Sequence, residues 1–372
     1  MDKDRIIVAD QNIPFISDVF SDLGKLVLIP GQFIDQDVVK NADILLVRAI
    51  TPITRQLLEG SSVTFVGSAT AGVDHVDISY LQRAAIEFAH APGANALSVV
   101  EYVLACLALF EAETGSPFID KTIGIVGVGN VGSLLAQRCR ALGMKVLIND
   151  PPKEEKEGKG AFTKLHALFE RADIVSIHTP LTVNGVHQTQ NLINKNLVNH
   201  MKPGAWFIHT ARGGVCDERA LVLAREQGGL EKLALDVWQN EPTPNADSIS
   251  IADIATGHIA GYSIDAKIRG LHMVRSALLA FLGLNGSAIP PAVNSRMEAL
   301  PVIEVNSLAA VIRQLYPVRK DDHRFRIAMK LNPEMSAAFH AYRAQYPVRR
   351  TFAAFKSNRP VPKAWEKGLG LL

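Results

Sequence analysis

The sequence predicts an α/β protein with two doubly wound parallel sheets in succession, followed by a further C-terminal segment. Three observations carry this. Short runs of Val, Ile, Leu and Phe alternate with helix-spaced stretches through residues 5–89. Runs of that kind belong to parallel sheets covered by helices on both faces. A second series of the same type begins at residue 122, and it opens on a glycine-rich turn between a strand and a helix. A chain of 372 residues has room for two or three domains at ~150 residues each.

In the first series the strand candidates are 5–9, 25–29, 44–48, 63–67 and 86–89, with helical spacing over 13–23 and 77–85. The stretch 98–110 is strongly apolar but contains Glu101. It is shorter than the ~20 apolar residues that cross a bilayer and reads as a buried helix. The second series runs strand 122–128, helix 131–142, strand 144–149, helix 162–171 and strand 174–178, with later strands at 205–210 and 233–237. The charged segment 153–159 reads as a solvated loop. The stretch 286–293, with Pro290 and Pro291, punctuates the chain. Beyond it Arg313, Arg319, Arg324, Arg326, Arg343, Arg349 and Arg350 read as the solvated surface of a further module suited to assembly.

Composition narrows the function classes. Hydrophobic residues make up 48% and charged residues 20%, and the formal net charge is +2. That balance gives no electrostatic footprint for nucleic acid or a membrane surface. Cys106, Cys139 and Cys216 form neither a CxxC ligand pair nor a disulfide framework, so no metal site is read and a reducing compartment is expected. The N-terminal MDKDRIIVAD carries no basic region followed by an apolar one, which points to the cytoplasm.

The strongest local motif is Gly127-Val128-Gly129-Asn130-Val131-Gly132. It follows a strand and opens a helix, the setting in which GxGxxG binds a dinucleotide. Gly127 permits the tight turn, Gly129 lets the backbone approach a pyrophosphate, and Gly132 lets the helix pack on the strand. Asn130 and Val131 stand where the helix opens at 131, and its free N–H groups face the anion. Asp150 closes the next strand, about 20 residues on, where a carboxylate accepts from the ribose diol and repels a 2′-phosphate. The cofactor expected is NAD rather than NADP. An α/β domain precedes this unit, so the beginning of the chain is expected to supply a substrate domain, with a ligand cleft between the two.

Hydride transfer from an alcohol needs a cation for the substrate's acid group, a base for the hydroxyl proton, and a group that tunes the base. Arg212, in Thr210-Ala211-Arg212-Gly213-Gly214 just after a strand, can bind a carboxylate and the adjacent carbonyl oxygen. His258, in Gly257-His258-Ile259-Ala260-Gly261, titrates near neutrality. Glu241, in Trp238-Gln239-Asn240-Glu241-Pro242, would favour the protonated imidazole and fix its orientation. Taken singly, each reads equally well as an ordinary surface or structural residue.

Taken together, these motifs resemble the D-2-hydroxyacid dehydrogenases, over roughly residues 1–285. The matching pieces include His178-Thr179-Pro180-Leu181, Asp217 with Ala220 and Leu221, and Asp236 through Pro242. The resemblance implies Arg212 for substrate binding, His258 as acid/base and Glu241 as its partner. It places Thr179, Thr210, Ala211, Asp236 and Gly261 at the cofactor, and His178 near the cofactor without a catalytic role. Asp74, in Ala71-Gly72-Val73-Asp74-His75, fits a loop near the substrate.

Finer features resemble the branch of this family that oxidises 4-phospho-D-erythronate in vitamin B6 synthesis. They include Val8-Ala9-Asp10, Leu46-Val47-Arg48, Ala91 through Ala96, and Leu315-Tyr316-Pro317-Val318-Arg319-Lys320-Asp321-Asp322 in the tail. This implies a flavodoxin-like substrate domain (1–92 and 265–285), a Rossmann NAD-binding domain (93–264) and a C-terminal α+β dimerisation domain (286–372). It also implies a homodimer and a small phosphorylated 2-hydroxy acid as substrate. Thr70 and Tyr262 become substrate-contact candidates, and Arg48 a partner for phosphate or carboxylate. Ala49 stands where that branch has Ser, so one hydroxyl contact is missing. The alternatives are a related enzyme acting on 3-phosphoglycerate or another 2-hydroxy acid, and a binding protein that senses NADH on the same fold.

Overall fold

The structure is a computed structural model that describes residues 4–158, 160–284 and 302–371. The proline-bearing stretch 286–293 lies outside the described residues. Two compact units divide the chain. The first holds the described residues up to Asn95 and those from Ser263 to 284; the second holds Ala96–Tyr262 and the described residues beyond 301.

The first unit is built on a five-stranded parallel sheet. Its strands are β1 (Ile6–Asp10), β2 (Lys25–Ile29), β3 (Ile44–Val47), β4 (Phe65–Ser68) and β5 (Glu87–Ala89), in the order β2-β1-β3-β4-β5. That is the flavodoxin-like order, with ligand positions expected beyond the carboxyl ends of the strands. The inner strands β3 and β4 are buried along their whole length, which explains their unbroken apolar sequence. Helix Ile264–Phe281 packs on one face of the sheet, burying Ile268, Leu271, Val274 and Leu278 with Ile7, Ile44 and Phe65. Opposite it, Val8, Val39, Leu45, Leu57 and Val66 form a second core. The helical spacing over 13–23 yields only Ile16–Phe20, entered from Phe15 in the left-handed region.

The second unit carries six parallel strands: β6 (Thr122–Val126), β7 (Lys145–Asn149), β8 (Ile174–Ile177), β9 (Ala205–His209), β10 (Leu230–Leu235) and β11 (Ile254–Ala255). Their order is β11-β10-β9-β8-β6-β7. The chain reverses direction across the sheet at β6, so the glycine-rich turn lies at the topological switch point, where Rossmann sheets take their ligand. The apolar stretch around 98–110 is a buried helix, Ala96–Thr114.

Three readings are corrected. The charged segment at 153–159 is not a loop over its described part: helix Pro151–Glu157 begins where Asp150 caps it, accepting from the Lys153 amide, with proline in the first turn. Lys153 and Glu157 add an i,i+4 pair. The strand placed at 233–237 starts at Leu230, next to a two-residue edge strand, β11, too short to show a pattern. The tail arginines are not simply a solvated surface. Helices Leu308–Leu315, Arg319–Leu331 and Met335–Ala344 pack into the core of the second unit, and Arg349 is buried there with its guanidinium 4.4 Å from the Tyr316 ring.

Candidate active site

Two loops of the second unit meet behind the carboxyl ends of β9 and β10. After β9 the chain turns at Arg212 into a short 3-10 segment, Gly213–Val215. A Cβ on Gly213 would lie 1.8 Å from the Trp238 carbonyl oxygen, so the Arg212 loop is pressed onto the loop that follows β10. There the Trp238 amide donates to Glu241 Oε1 at 2.9 Å, and Glu241 Oε2 stands 2.7 Å from His258 Nδ1. The structure thus pairs Glu241 with His258 and presses the Arg212 loop against the loop that carries Glu241.

Asp236 holds the His258 loop. Its buried carboxylate accepts from Thr256 Oγ1 at 2.6 Å, the Ile259 amide at 2.8 Å and the Ala260 amide at 2.9 Å. Its carbonyl accepts from the His258 amide at 2.6 Å. The clasp carries His258 through the left-handed region, φ 58°, a conformation that needs such support in a residue with a side chain. Burial raises the Asp236 pKa despite these donors. At Glu241 burial also works upward, but the charge and hydrogen bond of His258 and the Trp238 amide prevail, and the carboxyl is held below its usual range.

Sequence reasoning missed two residues here. His209, at the end of β9, donates from Nε2 to the Arg212 carbonyl at 2.9 Å, and its Nδ1 is buried without a partner. Burial pushes its pKa down to about 4, so it is a neutral prop beneath Arg212. Arg343, on helix Met335–Ala344, donates from Nη2 to the Tyr262 hydroxyl at 2.8 Å. A residue whose role comes only from long-range packing leaves no motif; the one signal for His209 is an imidazole inside an otherwise apolar strand.

The glycine-rich turn has the shape a dinucleotide needs. Gly127 has φ +87°, and a Cβ there would lie 2.7 Å from the His178 carbonyl carbon. A Cβ on Gly132 would lie 1.9 Å from the Gly127 oxygen, so no other residue fits. At Gly129, in contrast, nothing stands within 4 Å of a Cβ, which leaves the backbone open to a ligand. Asn130 is the first residue of helix Asn130–Ala141, with Val131 packed beneath it. Asp150 fastens the turn, accepting from the Val128 amide at 2.7 Å. Thr179 Oγ1 is buried with no partner, as expected of a hydroxyl that a ligand satisfies. Thr210 bonds His178, 3.3 Å away, and burial pushes His178 down to about 3. Ala211 is buried beside Arg212, its carbonyl accepting from Nη1, and Gly261 is half-buried after the His258 clasp.

The remaining candidates lie in the first unit. Arg48, just past β3, is paired through Nε to the buried Asp10 at 2.6 Å, and Ala49 beside it is exposed. Thr70 donates to the Gly72 carbonyl at 2.9 Å and sits 2.8 Å from Ser68 Oγ, which also meets His75 Nε2 at 3.0 Å. Asp74 is exposed on the same loop. Burial lowers the His75 pKa against the pull of Asp74.

Known proteins are similar to this chain in sequence and in fold. Residues 110–260 match the family model described as D-isomer specific 2-hydroxyacid dehydrogenase, NAD binding domain. An erythronate-4-phosphate dehydrogenase from Chromohalobacter salexigens is 42% identical over 357 residues, 94% of this chain and 93% of its own. One from Marinobacter nauticus is 41% identical over 361 residues, 94% of each chain.

The chain belongs to the erythronate-4-phosphate dehydrogenase family.

The family's wider fold is seen in a D-lactate dehydrogenase from Aquifex aeolicus, solved with NAD and lactic acid. It superposes with a TM-score of 0.60 at 24% identity, covering 75% of this chain and 96% of its own. The 2-hydroxyacid dehydrogenase family model covers residues 110–260, and the fold shared with that structure covers three quarters of this chain. The cofactor is NAD; the open backbone at Gly129, the turn fastened by Asp150 and the buried Thr179 hydroxyl without a partner suit a dinucleotide.

Proposed function

We propose that this chain oxidises 4-phospho-D-erythronate at C2 to 2-oxo-3-hydroxy-4-phosphobutanoate in vitamin B6 synthesis. The observation that carries the mechanism is the His258–Glu241 pair at 2.7 Å beside the Arg212 loop. Glu241 accepts the hydrogen bond from Nδ1–H, which leaves Nε2 as the base for the C2 hydroxyl. Arg212 holds the substrate carboxylate in a charge-assisted bond and steadies the carbonyl oxygen as it forms. NAD+, when bound, supplies the hydride acceptor. Thr210, Ala211, Asp236 and Gly261 would line its nicotinamide end, and Asp150 its adenosine ribose. Thr70, Asp74, Arg48, Ala49 and Tyr262 would contact the substrate, with Ala49 offering only a methyl group. The described C-terminal helices would also form a homodimer interface, which the mass of the purified protein in solution tests.

The reaction is tested by turnover of 4-phospho-D-erythronate against 3-phospho-D-glycerate with NAD+, with a 2-oxo acid added in parallel to reoxidise retained NADH. A clear preference for the erythronate ester is expected. Preference for the glycerate ester would keep the mechanism and overturn the substrate. Binding of NADH with turnover of neither would favour a sensing protein. Arg212→Ala should abolish turnover while NAD affinity is kept; near wild-type kcat/KM in that variant would remove Arg212 from the mechanism.

A further inference from the structure

The tail arginines differ in how their charge is used. Arg319 is paired with Glu113 and Asp322, Arg324 with Asp321, and Arg326 with Asp322. Arg349 donates to the carbonyls of Ala260 and Ser98 and lies on Tyr316 in a buried setting. Like Arg349, Arg343 has no ion pair among the described residues, but it bonds a neutral side chain instead of backbone carbonyls, the Tyr262 hydroxyl at 2.8 Å. Its Nε is buried without an acceptor. Its guanidinium carbon lies 5.3 Å from the Tyr262 ring and 5.8 Å from the Phe339 ring, so aromatic faces fix it in place. Tyr262, to which it is bonded, lies just after His258 on the same loop, and the Arg343 charge helps hold the Glu241 carboxyl low.

A cation held in place without a paired carboxylate among the described residues, close to the acid/base pair, is a standing anion site. We propose that Arg343 and Tyr262, rather than Arg48, whose Nε is already paired to the buried Asp10, form the subsite for the phosphate of the substrate. The inference rests on the reaction proposed above. The phenol oxygen of Tyr262 accepts from Arg343, which ties the guanidinium to the loop that carries the base. The phosphorus lies four bonds from the reacting C2, a span that suits recognition within the same loop cluster. Tyr262 closes the His258 loop, so the phosphate is bound by the segment that carries the base. On this view the C-terminal extension supplies substrate specificity in cis.

The test compares kcat/KM for 4-phospho-D-erythronate and for D-erythronate in the full-length protein, in Arg343→Gln, Tyr262→Phe and the double variant. Loss of a charge-assisted bond to phosphate is expected to lower the ratio of the two values by roughly 10- to 100-fold in Arg343→Gln, mostly through KM. Tyr262→Phe lowers it less, and the double variant by less than the product of the two, because the groups share one ligand. Inorganic phosphate should inhibit the wild type competitively with substrate and inhibit Arg343→Gln far more weakly. Equal losses on both substrates, or a preserved ratio, would overturn the subsite while leaving the reaction standing. A wild type with no preference for the phosphorylated acid would overturn the reaction itself and the subsite with it.

Discussion

Replacing Glu241 by Gln changes one atom type and poses a problem that the neighbouring groups can solve in only one way. The carboxylate accepts at both oxygens, from the Trp238 amide at 2.9 Å and from His258 Nδ1 at 2.7 Å. An amide offers one acceptor and one donor. With its oxygen toward His258, the amide nitrogen would face the Trp238 N–H, leaving two donors opposed in a largely buried place at a cost of about 1–3 kcal/mol. With its oxygen toward Trp238, the amide donates to Nδ1, and the imidazole moves its proton to Nε2. The second arrangement wins, because a histidine can change tautomer and a backbone amide cannot. The variant then presents Nε2–H to the substrate and has lost the base. The expected fall in kcat is about 10²–10⁴-fold, the usual worth of general base catalysis. NAD affinity should be unchanged, since the glycine turn is untouched. Initial rates of NADH formation and fluorescence titration of NADH measure the two quantities. A Gln variant within tenfold of wild-type kcat would refute the assignment of Nδ1–H to Glu241 and the role of His258 with it.

Other expectations follow from the same contacts. Gly132→Ala places a methyl 1.9 Å from the Gly127 oxygen and must displace the turn; NAD binding should be lost by thermal-shift titration, and retained binding would contradict the packing. Asp150→Ser keeps an N-cap for helix Pro151–Glu157 while removing the charge. It should raise kcat/KM with NADP relative to NAD, and an unchanged preference would refute a ribose role. His178 and His209 sit well below their unfolded pKa of 6.5, at about 3 and about 4. Between those values and about 6.5 the unfolded chain binds more protons, so stability falls as pH is lowered, by about 1.4 kcal/mol per pH unit for each histidine. Tm should therefore drop from pH 7 to pH 5, and His209→Asn should flatten the dependence; a slope unaffected by that substitution would rule out His209 as a source.

Those parts of the fold that depend on local sequence are legible in the sequence itself. The buried strands β3 and β4 read as unbroken apolar runs, and the turn between β6 and its helix shows in the spacing of Gly127, Gly129 and Gly132. Helix Pro151–Glu157 is hidden because its residues are nearly all charged and no face is buried, so periodicity has nothing to register. The signal present is Asp150-Pro151-Pro152, a cap followed by proline. The motif assigns the same aspartate to the ribose, and the structure gives it two further tasks, capping the helix and fastening Val128. Of the candidate site, Arg212, Glu241 and His258 are proposed from motifs. The clasp of Asp236 on Thr256, Ile259 and Ala260 is not, because which atoms a buried carboxylate meets depends on how the loop after β11 returns over β10.

The tail shows why composition misleads about arginine. Seven arginines from Arg313 to Arg350 suggest a solvated surface, on the rule that charges avoid the interior. That rule holds for unpaired charges in apolar surroundings. Here Asp322 accepts from the Ala255 amide and from Arg326, and Asp321 accepts from the hydroxyls of Tyr316 and Tyr346. The Phe352 amide reaches Glu101 Oε1, and Arg349 reaches the Ala260 carbonyl, on the far side of the residue whose amide Asp236 clasps. Tyr102 links the same region to Thr256, whose hydroxyl bonds Asp236. The His258 loop is thus held by one carboxylate just past β10 and from the tail by one guanidinium. Neither group needs to touch substrate to matter. A tail that serves only to hold this loop predicts that Arg349→Lys lowers kcat on phosphorylated and unphosphorylated acids alike. A tail that also binds substrate predicts that Arg343→Gln separates the two acids, and the contrast between these variants tells positioning from recognition.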